Sequence, residues 1–97
     1  MAVVLTVITQ VKQGDEATAE RLLTECAIPS RAEPGILEYH VCRSNRNPGQ
    51  FLIFEMYRDK EARDSHRQSE HVKRLIVDQL LPLTDTFEVA SYESFDS

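Results

Sequence analysis

Glycine is scarce, with only Gly14, Gly35 and Gly49 in 97 residues, and their spacing builds neither a dinucleotide fingerprint nor a phosphate-cradling loop. No nucleotide site is expected. Cys-x-x-Cys is absent, and so is the Gly-x-Ser-x-Gly elbow that carries the serine of many hydrolases. Basic side chains number 11 against 16 acidic ones, and they are scattered without forming a face, so nucleic acid is not an expected partner. The longest apolar run, Val3-Val4-Leu5-Thr6-Val7-Ile8, falls far short of the roughly 20 residues that cross a bilayer. It lacks the basic flank and small-residue cleavage site of a secretory leader. A cytoplasmic protein without a membrane partner is the expectation.

Long polar, Gly/Ser-rich or Pro-rich tracts are also missing, while hydrophobic residues at 41% and charged residues at 28% are ordinary globular values. Residues 1–97 are therefore expected to fold as one domain. A chain of this length buries about 60–65% of its unfolded surface, which leaves little surplus stability and makes a partner subunit useful. The two cysteines, Cys26 and Cys42, are expected to stay reduced and to act as small buried apolar residues.

What is present reads as alternating strand and helix patterns. Residues 2–11 are dense in β-branched side chains and stop at Gln13-Gly14-Asp15, a turn followed by a capping residue. From Glu16 to Ala32, Ala19, Leu22, Leu23, Cys26 and Ala27 recur at three- and four-residue spacing, the stripe of a helix that Pro29 must kink or end. After the break Glu33-Pro34-Gly35, residues Leu37, Tyr39 and Val41 alternate with Glu38, His40 and Cys42 as a strand does. A turn-rich segment from Ser44 to Gly49 leads into Phe51–Tyr57, giving a hairpin with a long loop. Asp59 can cap a short helix reaching about His66. Ser69 can cap another, with the stripe Val72, Leu75, Ile76, Leu80 and Leu83, which Pro82 ends. Residues 85–95 return to alternation, with Phe87, Val89 and Phe95 on one face.

The resulting order, βαββαβ, predicts an α+β, ferredoxin-like fold: an antiparallel sheet with helices on one face. Phe51, Ile53, Glu55 and Tyr57 point to one side of the third strand and Leu52, Phe54 and Met56 to the other, so neither side is suited to water. Helices cover one side only. A second copy of the same sheet is the simplest cover for the other, which predicts a homodimer.

The candidates for chemistry are the polar groups set in apolar company. Glu55 lies on an apolar strand face, where a carboxylate is expensive unless paired. It either binds a ligand or simply locks strand to helix through an amide, a tyrosine or a histidine. His66 and His71 lie within six residues of each other, and imidazole moves protons near neutral pH; the plain alternative for each is a helix-end histidine bonded to a carbonyl or carboxylate. On one continuous helix they would diverge by about 140°, so metal binding needs a break near Ser69. Tyr39 and Tyr57 are core aromatics by default, though their hydroxyls could orient a phenol or carbonyl. His40 is expected at the surface or a dimer contact.

The run R-A-E-P-G-I-L-E-Y (31–39), followed by N-P-G-Q-F-L-I-F-E-M-Y-R-D (47–59), E-A-R-D-S-H (61–66) and S-E-H (69–71), resembles the antibiotic biosynthesis monooxygenase domain family. The most specific element is the ordered set Glu55, Tyr57, Asp59, Ala62, His66, Ser69 and His71. The resemblance implies a dimeric α+β barrel built from two ferredoxin-like sheets. The family includes cofactor-independent monooxygenases of quinols and anthrones, haem-degrading enzymes and an isomerase of a phosphorylated signal, and fold alone does not choose among them. In the oxygenases a phenol is deprotonated and its anion reduces molecular oxygen. Here the resemblance implies His66 or His71 as base, with Glu55, Tyr39 and Tyr57 orienting the ring and with neither cofactor nor metal. There is no tryptophan, the position where many relatives carry one being Tyr57, and no asparagine on the first strand, which disfavours haem degradation. The expectation is a cofactor-free monooxygenase of a quinol-like or polycyclic phenol. The alternatives are an enolising isomerase of a small carbonyl compound and a non-catalytic metabolite-binding dimer.

Overall fold

The computed structural model describes residues 1–96. Its elements are β1 (Val3–Val11), α1 (Glu16–Arg31), β2 (Ile36–Arg43), β3 (Gln50–Tyr57), α2 (Lys60–Arg67), α3 (Val72–Leu80) with a tight turn at Leu81–Leu83, and β4 (Thr84–Glu93). The four strands form one antiparallel sheet in the order β2-β3-β1-β4, the ferredoxin-like arrangement.

The alternation of β1 and β3 decides what the helices cover. Leu5, Val7, Thr9 and Val11 are buried on the same side as Phe51, Ile53, Glu55 and Tyr57, because Leu5 pairs with Glu55 and Val7 with Ile53. Thr9 is tolerated there because its hydroxyl donates to the carbonyl of Thr86 at 2.7 Å. Helix α1 adds Ala19, Leu22, Leu23, Cys26 and Ala27, and α3 adds Leu75, Ile76 and Leu80. On the opposite face Leu52, Phe54 and Met56 are only half-buried, and Ile8 and Tyr92 are exposed.

Several local expectations change. Asp15 stands at the start of α1 but its side chain makes no capping bond; Gly14, at φ +96°, turns the chain so that its own N–H donates to Glu16 Oε1 at 2.8 Å. Pro29 neither ends nor visibly interrupts α1, which runs two residues further to Arg31. On β2 the register slips between Ile36 and Glu38, so Ile36 takes the inner place opposite Tyr57 and Leu37 is left exposed. Strand β4 ends at Glu93, and Phe95 is exposed beyond it. Cys26 is buried as expected, but Cys42 faces outward on β2 and is exposed.

Helix α3 is the largest departure. It is wound with i to i+5 bonds, the N–H of Leu81 donating to the carbonyl of Ile76, a form that is rare and frequent near functional sites. The five-residue steps from Leu75 to Leu80 and from Ile76 to Leu81 fit this wider winding, so each pair presents one face.

Candidate functional site

Where the sheet parts from α2 and α3, a cavity of about 370 Å³ remains between them. Its floor is the inner sheet face with Leu5, Val7, Ile53 and Glu55, and its wall is Val72, Ile76 and Leu81 of the wide helix and the turn after it. Val77 and Val89, which also line it, are exposed, so the cavity opens between α3 and the edge strand β4.

Glu55 sits at this floor with only 6% of its surface exposed. Residues two apart on a strand share a face, and the Tyr57 hydroxyl accordingly donates to Glu55 Oε1. Burial raises the Glu55 pKa, while this bond and the nearby His66 pull it back down. Tyr57 itself is pushed far above the phenol range, first by burial and then by the Glu55 charge. It is a fixed donor rather than a base.

His66 is held from both sides. Asp59 caps α2 by accepting from the Ala62 N–H at 2.8 Å, and α2 then presents buried His66 to the sheet. Nδ1 of His66 lies 2.7 Å from Glu33 Oε2, and Nε2 lies 3.7 Å from Glu55 Oε1. His71 Nε2 approaches the same Glu33 oxygen at 2.8 Å. A carboxylate oxygen accepts, so the ring nitrogens facing Glu33 are placed to donate to it, and His66 Nε2 is the ring nitrogen turned toward Glu55 and the cavity.

Gly35 makes this geometry reachable. A Cβ there would collide with the Cβ of Ala62, so the absence of a side chain lets α2 settle onto the chain just before β2, next to Glu33. The Arg58 N–H donates to the Gly35 carbonyl at 2.8 Å and ties the same two segments together.

Of the residues singled out in the sequence, Tyr39, Glu55, Tyr57 and His66 line the cavity. His71 does not; a break between α2 and α3 brings its ring 5.9 Å from that of His66, and it reaches the group through Glu33. Tyr39 offers the cavity its ring, packed edge-on to His66, while its hydroxyl points toward Cys26 Sγ at 4.0 Å and burial lifts its pKa well beyond the usual phenol range. His40 lies outside the site, exposed and 3.1 Å from Glu38. Glu33 is the member the sequence concealed, because a glutamate before Pro-Gly reads as part of a turn. Glu33, His66 and His71 are also the trio of described residues whose donor atoms, all within 4.8 Å of one another, could hold a metal ion. As they stand, two N–H donors sharing one carboxylate oxygen account for their approach.

The arrangement supplies an apolar chamber, an imidazole nitrogen turned toward it, and a buried carboxyl beside that nitrogen. A family model described as antibiotic biosynthesis monooxygenase matches residues 1–77. No curated protein matches the chain. Among solved structures, a protein from Mycobacterium tuberculosis is 26% identical with a TM-score of 0.91, covering 100% of this chain and 98% of its own. One from Pseudomonas aeruginosa is 24% identical with a TM-score of 0.90, covering 97% and 94%. One from Nitrosomonas europaea, provisionally named an antibiotic biosynthesis monooxygenase, is 18% identical with a TM-score of 0.93, covering 98% and 91%. The structural likenesses speak to the fold; the match over residues 1–77 speaks to the family, and the chain belongs to the antibiotic biosynthesis monooxygenases.

Proposed function

We propose that this protein is a cofactor-independent monooxygenase of a quinol-like or polycyclic phenol, with His66 as the base. The observation that carries the reading is the two-sided hold on His66: Glu33 fixes the proton on Nδ1 at 2.7 Å, and Nε2 is turned to an apolar cavity. His66 Nε2 takes the phenolic proton. The phenolate, an electron-rich anion in a poorly solvating chamber, transfers electrons to molecular oxygen, and the two combine at a ring carbon. Loss of water then leaves a quinone: the ring gives up four electrons, one oxygen atom stays as the new carbonyl and the other departs as water. Glu55, with its neutral form favoured by burial, stands 3.7 Å from His66 and can return a proton to the departing oxygen. Tyr57 holds Glu55, and the Tyr39 ring supports His66; His71 shares Glu33 and steadies it.

The test is oxygen uptake with a hydroquinone panel in metal-free buffer. A positioned general base contributes about 10²- to 10⁴-fold, so His66→Ala is expected to lower kcat by at least 100-fold with the fold intact by circular dichroism. Uptake unchanged in that variant removes His66 from the mechanism.

The proximity of His66 and Glu55 also suits a second reading, the enolisation of a small carbonyl compound, in which one group removes a proton from carbon and the other delivers one to oxygen. That reaction turns over under nitrogen, and the oxygenase does not. A metabolite-binding protein without turnover would show ligand-dependent thermal stabilisation and no product. We further propose that a second copy covers the face carrying Leu52, Phe54 and Met56, since none of the three is fully buried within the chain.

A further inference from the structure

Glu33, His66 and His71 come from three segments: the turn before β2, the last turn of α2, and the junction between α2 and α3. The break between the two helices lets histidines five residues apart meet on one carboxylate. Nδ1 of His66 and Nε2 of His71 stand 2.7 and 2.8 Å from Glu33 Oε2, and all three donor atoms lie within 4.8 Å of one another. Ligands bonded to one ion at about 2.0–2.1 Å stand roughly 2.8–3.4 Å from each other, so the oxygen and each nitrogen need to part by only a fraction of an ångström to admit one.

Hydrogen bonds alone use this cluster incompletely. Both imidazoles crowd onto Oε2, while Oε1 of Glu33 has no partner among the described residues. Glu33 also lines an open cleft with Gly35, Glu61 and Ser65, which shares no lining residue with the cavity beside His66. Water and ions therefore reach Glu33 without crossing the cavity. The arginine of that cleft, Arg58, is taken up by Asp59 at 3.3 Å.

The far side of His66 supplies a second, independent mark. A histidine that binds a metal through one ring nitrogen usually donates its other N–H to a carboxylate, which orients the ring. Beyond His66 Nε2 stands Glu55 Oε1 at 3.7 Å, slightly past hydrogen-bond length, on a buried carboxyl that Tyr57 holds in place.

We infer that Glu33, His66 and His71 form a site for a divalent transition ion of the zinc class, bound through Glu33 Oε2, His66 Nδ1 and His71 Nε2. Two imidazoles favour zinc, cobalt or nickel over magnesium and calcium, which prefer oxygen ligands. Three protein ligands leave at least one position for water from the cleft. The site goes beyond the proposed reaction and meets it at one atom. An ion on Nδ1 leaves the proton of the neutral imidazole on Nε2, so an ion-bound His66 has no lone pair there to take a phenolic proton. Such an ion switches the oxygenase off rather than serving it.

The test starts from untagged, chelator-treated protein titrated with zinc chloride in a calorimeter, with magnesium chloride as comparison. The expected result is one zinc per chain, bound at least about 100-fold more tightly than magnesium. X-ray absorption of the zinc-loaded wild-type protein is expected to show two imidazoles with oxygen completing the shell, a readout that needs no variant. Glu33→Gln and His71→Ala, checked for folding by circular dichroism, are each expected to weaken zinc by more than about 100-fold, and Glu55→Gln by about 10- to 100-fold, the range typical of losing an outer carboxylate. His40→Ala, at the exposed pair with Glu38, is expected to leave zinc binding unchanged. Zinc bound no more tightly than magnesium, a shell with fewer than two imidazoles, affinity kept in both Glu33→Gln and His71→Ala, or affinity lost in His40→Ala overturns the inference. Zinc bound at the trio with no oxygen uptake from any hydroquinone supports the site and counts against the reaction alone. Oxygen uptake by a protein that binds no zinc counts against the site alone.

Discussion

The two faces of β3 carry almost equally apolar side chains and meet different fates. Phe51, Ile53 and Tyr57 are each at most 2% exposed beneath the helices, whereas Leu52, Phe54 and Met56, alternating with them, remain half-buried. The inner face solves its burial within the chain and can therefore carry a costly group, Glu55, because surrounding side chains supply a tyrosine hydroxyl and an imidazole. The outer face has no such enclosure from its own helices, and it holds no buried carboxyl. Apolar sequence alone does not make a site; enclosure by elements that also provide hydrogen-bond partners does.

Substitutions on neighbouring β3 positions separate these roles. The largest effect is expected for Ile53→Ala on the inner face, about 2–5 kcal/mol in urea denaturation, because the removed atoms are fully buried and border a cavity that cannot collapse onto them. A loss below about 1 kcal/mol would mean that the inner face is less tightly enclosed than its burial implies. Phe54→Asp, next along the strand but facing out, is expected to convert a wild-type dimer to a monomer in light scattering at micromolar concentration, while the monomer keeps its circular dichroism. A monomeric wild-type protein would show that the outer face needs no second copy.

Glu55→Gln sharpens the comparison most finely. An acid whose folded-state pKa is raised holds its proton more readily folded than unfolded. The stability of the wild-type protein is then fully present below the ordinary carboxylate pKa of about 4.3 and is lost as pH climbs through the higher folded value. Glutamine has no proton to lose, so the variant should gain on the wild type as pH rises from roughly 4 to 8, by a few degrees in Tm at about 4–8 °C per kcal/mol. The same Tm difference at both ends of that range would refute the burial cost assigned to Glu55.

The element order and sheet face were legible in the sequence because period-two alternation on β1 and β3 survives intact in the structure. The shift at Leu37 was not, since a one-residue register slip depends on β3 as much as on β2. The winding of α3 left a trace in the five-residue step from Leu75 to Leu80, which a helical stripe also tolerates. In the candidate site, Glu55 and His66 could be singled out by chemistry in the wrong surroundings. Glu33 could not, because nothing local distinguishes a turn glutamate from one that a distant helix will press against two imidazoles.

The close passage of α2 over Gly35 has a consequence for how this site can vary. Any side chain at position 35 must lever α2 outward, and the first separation to widen is the one between His66 and Glu33, so the imidazole would lose its fixed tautomer before the sheet lost a single pairing. A chain carrying alanine there is expected to stay folded and ordinary in its spectrum while holding the His66 ring at the wrong angle. Position 35 thus behaves as the fulcrum of the chemistry, although no atom of it touches the cavity.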